Sequence, residues 1–173
     1  MRPLAPLLLS ALLAACAAAP GGPASPASSS SSSSVASAAA TADVFLIAIE
    51  TPEDDGTTIG CGDSTVAVQR AVTGATLPYA VQELLSLQRS AASPNVAGYY
   101  NALYQSDLHV ASATMSGSTA VLALTGTLLS GGTCDDPRIY WQISDTATLF
   151  PGVDAGTITV NGNPLDQSGG AAG

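Results

Sequence analysis

The chain has 173 residues, of which 46% are hydrophobic, only 10% charged and 5% aromatic, so it carries material for one modest core and is not disordered throughout. Thirteen acidic residues stand against four basic ones, all arginine, for a net charge of -9. Nucleic acid is excluded as a partner class, because affinity for it rests on cations that displace counterions from phosphates.

In chain order the first feature is a short positive start at Arg2, followed by an apolar stretch over residues 4–13. That length suits a secretory signal and is too short to span a bilayer. It closes on Leu13-Ala14-Ala15-Cys16, which resembles the bacterial lipobox. The resemblance implies that residues 1–15 are a lipoprotein signal peptide, that cleavage falls before Cys16, and that Cys16 carries diacylglycerol and a further acyl chain such as palmitate. Two or three acyl chains hold a protein to a membrane far more firmly than one. Residues 16–42 then read as a disordered tether: Pro-Gly-Gly-Pro, seven consecutive serines over 28–34 and an Ala-rich end offer nothing that can bury a core. A flexible chain of that length has a root-mean-square reach of about 25–30 Å.

The folded domain is expected over residues 43–167. Val44-Phe45-Leu46-Ile47-Ala48-Ile49 is a continuous apolar run and reads as a buried strand. Residues 65–72 alternate Val66, Val68 and Arg70 against Ala67, Gln69 and Ala71, a second strand. Thr76 is placed to cap a helix with Pro78 in its first turn, and Val81, Leu84, Leu85 and Gln88 recur at helical spacing up to a stop near Ser90. Residues 99–103 read as a short helical or extended segment. Two strand-like runs, 108–115 and 119–125, flank Ser116-Gly117-Ser118 as in an antiparallel hairpin. A second helix follows, with Asp136 as its cap, Pro137 at its first position, and Ile139, Ile143, Ala147 and Phe150 on one face. A last strand, 157–160, runs into Asn161-Gly162, and residues 168–173 form a polar, disordered tail. The order β-β-α-β-β-α-β predicts an α/β two-layer sandwich, a mixed β-sheet with two helices on one face.

Cysteine arithmetic adds a constraint. Three cysteines are an odd number for an exported chain, and assigning Cys16 to lipid leaves Cys61 and Cys134 to form a disulfide. A metal site built on those two lacks further Cys or His nearby.

The ordered pieces of the domain resemble a GerMN module, named from spore germination and sporulation lipoproteins and found in other envelope lipoproteins. The residues that carry the resemblance are Cys61-Gly62-Asp63 before the Val66–Arg70 strand, Glu83-Leu84-Leu85 at the helix end, and Leu124-Thr125-Gly126 closing the hairpin. Gly131-Gly132-Thr133-Cys134-Asp135-Asp136-Pro137-Arg138-Ile139, Gln142, Thr148-Leu149-Phe150-Pro151-Gly152-Val153 and Val160-Asn161-Gly162 complete it. It implies an extracytoplasmic, noncatalytic domain with a ring-building-like fold, used in protein interaction or envelope assembly. The chain carries one such domain where the spore proteins carry two, so a sporulation role does not follow.

Candidate interaction residues are Arg138, Tyr140 and Trp141. Arg138, beside Asp135 and Asp136, reads either as a local ion pair or as a partner contact, and the tyrosines at 99, 100, 104 and 140 with Trp141 hold most of the aromatic content. No cofactor, catalytic residue or metal is expected. His109 is the only histidine and sits outside any nucleophile motif, while Glu50, Glu53, Asp54, Asp55 and Asp63 lack the ligand spacing of a calcium loop and read as solvated. The expected partners are the membrane, through lipid, and an envelope protein or a second copy of the chain. The competing classes are a small-ligand or cell-wall glycan-binding module that stacks sugars on the aromatics, and a hydrolase that uses His109.

Overall fold

A computed structural model describes residues 40–51, 56–88 and 94–167. The signal peptide, Cys16, all but the end of the tether, Glu53, Asp54, Asp55, the helix stop at Ser90 and the tail over 168–173 lie outside the described residues.

Strand β1 (Ala40–Ala48) begins ahead of the expected Asp43, and its apolar half, Val44 to Ala48, is buried. It pairs antiparallel with β2 (Ser64–Val72) in unbroken register from Ala40↔Val72 to Ala48↔Ser64. Helix α1 (Leu77–Ser86) follows. Thr76 stands at its N-cap as expected, but its hydroxyl makes no capping bond; its backbone carbonyl instead accepts from the Tyr79 and Ala80 N–H groups. The buried face of α1 is Leu77, Ala80, Val81, Leu84 and Leu85, and burying each of the larger ones stabilises the fold by roughly 2 kcal/mol. The segment over 99–103 is extended at its start, where β4 (Tyr99–Tyr100) pairs with β3 (Asn95–Val96) and with Ile47 of β1.

The hairpin is β5 (Asp107–Ser116) and β6 (Thr119–Thr127), turning through Gly117 in the left-handed region. Strand β7 (Ala155–Val160) joins β6 in parallel, and Asn161-Gly162, both at positive φ, turns it back into β8 (Asn163–Pro164). Helix α2 (Asp135–Thr148) starts two residues earlier than expected: Cys134, not Asp136, is its N-cap, and Pro137 lies within the first turn, where its missing N–H leaves no intrahelical bond unmade. Ile139, Ile143 and Ala147 are buried along one face.

The α/β sandwich is found, and its strands fall into two four-stranded sheets where one mixed sheet was expected. The first, β2-β1-β4-β3, is antiparallel throughout; the second, β5-β6-β7-β8, is mixed. The helices pack on each other and on strands of both sheets, and a continuous core including Leu46, Leu84, Leu103, Leu122, Ile143 and Ile158 lies between. Two-residue strands such as β3, β4 and β8 are too short to leave a period-2 signal, which is why the division was not legible in sequence.

Candidate functional site

The densest polar cluster gathers where α2 begins. A disulfide joins Cys61 to Cys134, with Cα atoms 5.9 Å apart, so the 3-10 turn Gly60–Gly62 is clamped to the N-terminus of α2. The clamp sets Asp63, the residue after that turn, against Arg138 one helical turn into α2. Asp63 is fully buried. One of its carboxylate oxygens accepts from Arg138 Nε at 2.7 Å and Nη2 at 2.6 Å, and the other accepts from the Glu50 N–H at 2.9 Å. Arg138 Nη1 donates to Asp135 at 2.9 Å. The second oxygen of Asp135 accepts from the Tyr100 hydroxyl at 2.8 Å and from the Gly131 N–H at 3.0 Å. The guanidinium also lies 5.3 Å from the centre of the Tyr100 ring, close enough for cation–π attraction.

These contacts fix the charge states. Burial opposes the charged guanidinium of Arg138, but hydrogen bonds to Asp135 and Asp63 outweigh it and hold the group above its ordinary value. Burial, then the bond to Asp135, pushes the Tyr100 hydroxyl well above its ordinary range. Neither group is poised to exchange a proton near neutrality, and every oxygen of both carboxylates already accepts a bond. The cluster therefore ties together three segments: the disulfide turn, β4 and α2.

Arg138 thus meets two acids of opposite sequence distance, Asp135 and Asp63, and its side chain is only 14% exposed. The ion pair anticipated with Asp135 is present, and the same guanidinium also reaches Asp63. Tyr140 and Trp141, the other two interaction candidates, are half-buried; their rings meet edge to face with centroids 5.3 Å apart, and Tyr140 packs against the core. His109 projects from β5 with a side chain 71% exposed, facing Asp107 at 3.7 Å, on the face opposite Leu108 as its flanks predicted. Asp63 leaves the acidic loop altogether for the buried cluster, whereas Glu50 is exposed. Among the described residues no group of three His, Cys, Asp or Glu side chains is arranged to hold a metal.

A second buried network was missed in sequence. Gln142, fully buried on α2, accepts from the Ala102 N–H at 3.0 Å and donates to Asn101 Oδ1 at 2.8 Å, while Asn101 donates to the Leu87 carbonyl at 3.0 Å. One turn on, the Thr146 hydroxyl donates to the Gln142 carbonyl and accepts from the Phe45 N–H. Nearby Asp145 accepts from the Thr65 hydroxyl at 2.7 Å, and burial raises its pKa because those hydroxyl bonds only partly offset desolvation. The available signal was the run Gln142, Asp145 and Thr146 intruding on an otherwise apolar helix face.

The surface carries shallow clefts. One of about 370 Å³ runs between the start of α1 and the hairpin, lined by Pro78, Met115, Phe150 and Val153 among others. Among the described residues no helix is long and apolar enough to cross a membrane.

A family model described as Germane: Sporulation and spore germination matches residues 51–166, which takes in both cysteines of the disulfide, the Arg138 cluster and the Asn161-Gly162 turn. No curated protein and no solved structure matches the chain. The matched stretch covers well over half of the sequence and falls on the domain to which the GerMN resemblance pointed, and the chain belongs to the Germane family.

Proposed function

We propose that the chain is an extracytoplasmic lipoprotein, held on a bacterial membrane by lipid on Cys16, whose GerMN-like domain binds another envelope protein and catalyses no reaction. The Cys61–Cys134 disulfide carries this reading. Such bonds persist in oxidising compartments outside the cytoplasm, and pairing these two leaves Cys16 as the single cysteine at the lipobox position. The tether over 16–42 sets the domain clear of the lipid surface and lets it search a volume around its anchor. A binding role is supported by where the reactive groups are used: Arg138, Asp63, Asp135 and Tyr100 hold one another, and His109 stands exposed beside Asp107.

The test is crosslinking in intact cells followed by mass spectrometry of the co-purified proteins. Deleting residues 28–34 is expected to leave the domain folded and to reduce capture in a graded way, since reach varies as about the square root of tether length. Trp141→Ala is expected to weaken capture without loosening the anchor. If both variants are folded by circular dichroism and capture the same partners at wild-type yield, the interaction reading fails.

A further inference from the structure

Each sheet has two edge strands, and three of the four are strongly guarded against adding another strand. Strands β3 and β8 are two residues long, β8 ends in Pro164, and β5 is broken by a bulge between Val110 and Ser112. Strand β2 carries lighter guards, a half-buried Arg70 paired with Glu83 and a loop over its first residues. It is nine residues long, has no proline, lysine or bulge, and pairs with β1 without a register shift.

The direction of its backbone groups follows from two bonds. The Thr65 N–H donates away from β1, to the Thr57 carbonyl at 3.0 Å. The Phe45 N–H of β1 donates away from β2, to the Thr146 hydroxyl, although Phe45 lies opposite Ala67. Pairs of this parity are therefore the ones that exchange no bonds across β1 and β2, and Ala67, Gln69 and Ala71 aim their N–H and C=O groups at the open edge. Residues 56–58 cover that edge only at its start, through Thr57 and the bridge between Thr58 and Ser64. Among the described residues nothing pairs with it beyond Thr65.

We propose that this edge pairs with the same edge of a second copy of the chain, antiparallel about a two-fold axis at Gln69. That register uses only the open groups: Gln69 opposes Gln69 of the second copy, and Ala67 opposes its Ala71, each pair exchanging bonds in both directions. It keeps the half-buried residues of both strands on the helix side. Arg70 then lies opposite Val68 rather than another arginine, and Glu83 of α1 holds it at 3.0 Å along the sheet face, off the edge. Val66 of the second copy comes opposite Val72, at the mouth of a cleft of about 270 Å³ lined by Val72, Tyr79 and Glu83. Ala67, Gln69 and Ala71, which aim their backbone groups at the contact, are uncharged, Arg70 is paired with Glu83, and Asp43 stands one strand in, opposite Gln69. A strand-to-strand contact buries little area and is weak in dilute solution. Confinement to a membrane surface raises the effective concentration of copies, and in this the inference rests on the anchoring proposed above.

The experiment uses the full chain in its membrane. Cysteine pairs directly opposite across bonded strands have Cα atoms about 5.5 Å apart, within disulfide reach. Gln69→Cys is therefore expected to give a reducible band at twice the monomer mass, whereas Ser118→Cys, in the exposed hairpin turn, is expected to stay monomeric. Sedimentation of the detergent-solubilised chain is expected to show a monomer–dimer equilibrium whose dissociation constant rises about tenfold or more in Gln69→Glu, which sets two carboxylates opposite each other with Asp43 of each β1 beside them. No linked dimer at position 69, or a dimer that Gln69→Glu leaves unchanged, overturns the self-pairing. The two readings fail separately: a chain monomeric in both assays that still crosslinks to a different envelope protein loses the second copy as partner and keeps the interaction function.

Discussion

Arg138→Ala probes the cluster that ties α2 to the disulfide turn. The change removes a side chain only 14% exposed and strips Asp63, which is fully buried, of the Arg138 cation, leaving it, among the described residues, one backbone N–H from Glu50. Asp135 loses the same partner, while its bonds from Tyr100 and Gly131 remain. Removing one member of a buried ion pair costs about 3–5 kcal/mol, because the other charge stays behind uncompensated. Against a total stability of roughly 5–15 kcal/mol for a single domain, that is a large fraction. It corresponds to a melting temperature lower by roughly 10–20 °C. Equilibrium unfolding in guanidinium chloride, followed by circular dichroism with the disulfide intact, gives the difference directly. Arg138→Lys is expected to recover part of the loss, since a point charge cannot serve two carboxylates as a planar fork does. The triple variant Asp63→Asn, Asp135→Asn, Arg138→Met is expected to be more stable than Arg138→Ala, because it leaves no charge unpaired. A loss below about 1 kcal/mol in Arg138→Ala refutes the reasoning, since it means that water reaches Asp63 and the pair contributes as a surface one does.

Purified oxidised protein with Cys16→Ser is expected to show no thiol until reduced, and reduction to lower its stability by about 4 kcal/mol on the loop-entropy account, since the bond spans 73 residues; Ellman titration and denaturant midpoints check both. Asp145 has a folded pKa raised above the ordinary 3.8, so the native state binds more protons than the unfolded chain just above that pH, and stability falls as pH rises through the raised value. Asp145→Asn is therefore expected to match wild type near pH 3 and to exceed it progressively at higher pH, and a melting-temperature series from pH 3 to 8 that shows parallel curves contradicts this. Asn161 sits at positive φ, and its side chain donates to the Gly126 carbonyl at 2.8 Å and accepts from the Gly126 N–H at 3.1 Å; Asn161→Ala is expected to cost about 1–2 kcal/mol by thermal unfolding.

Much of the framework was legible because it rests on local pattern. The run from Val44 read as a buried strand and is one as far as Ala48, with Ile49 exposed just past its end, the Ser116–Ser118 break read as a turn, and Pro78 marked where α1 begins. The start of α2 was misplaced because Asp136 and Pro137 carry a helix-start signature, whereas the observed start is set by the bond from Cys134 to Cys61, a long-range constraint that local spacing does not contain. Asp63 was read as solvated and Arg138 only against its neighbours Asp135 and Asp136, because the pair they form with each other joins residues far apart in sequence. The same limit hid Gln142, whose place in the core is justified only by Asn101 and Ala102 arriving from another segment. Gly126 is a case in which the pattern and its cause agree: at φ 121°, a side chain there would meet the Asp107 carbonyl, so the Leu-Thr-Gly end of β6 admits glycine alone.

Cys16→Ser measures most directly where the chain is held. Cells expressing the full chain are labelled with a palmitate analogue and fractionated into membrane and soluble material, wild type beside variant. Wild type is expected in the membrane fraction with label that survives boiling in detergent, and the variant is expected to lose the label and leave the membrane. A variant that stays in the membrane fraction beside an unlabelled wild type contradicts the lipid anchor and, with it, the placement of the domain at the envelope surface.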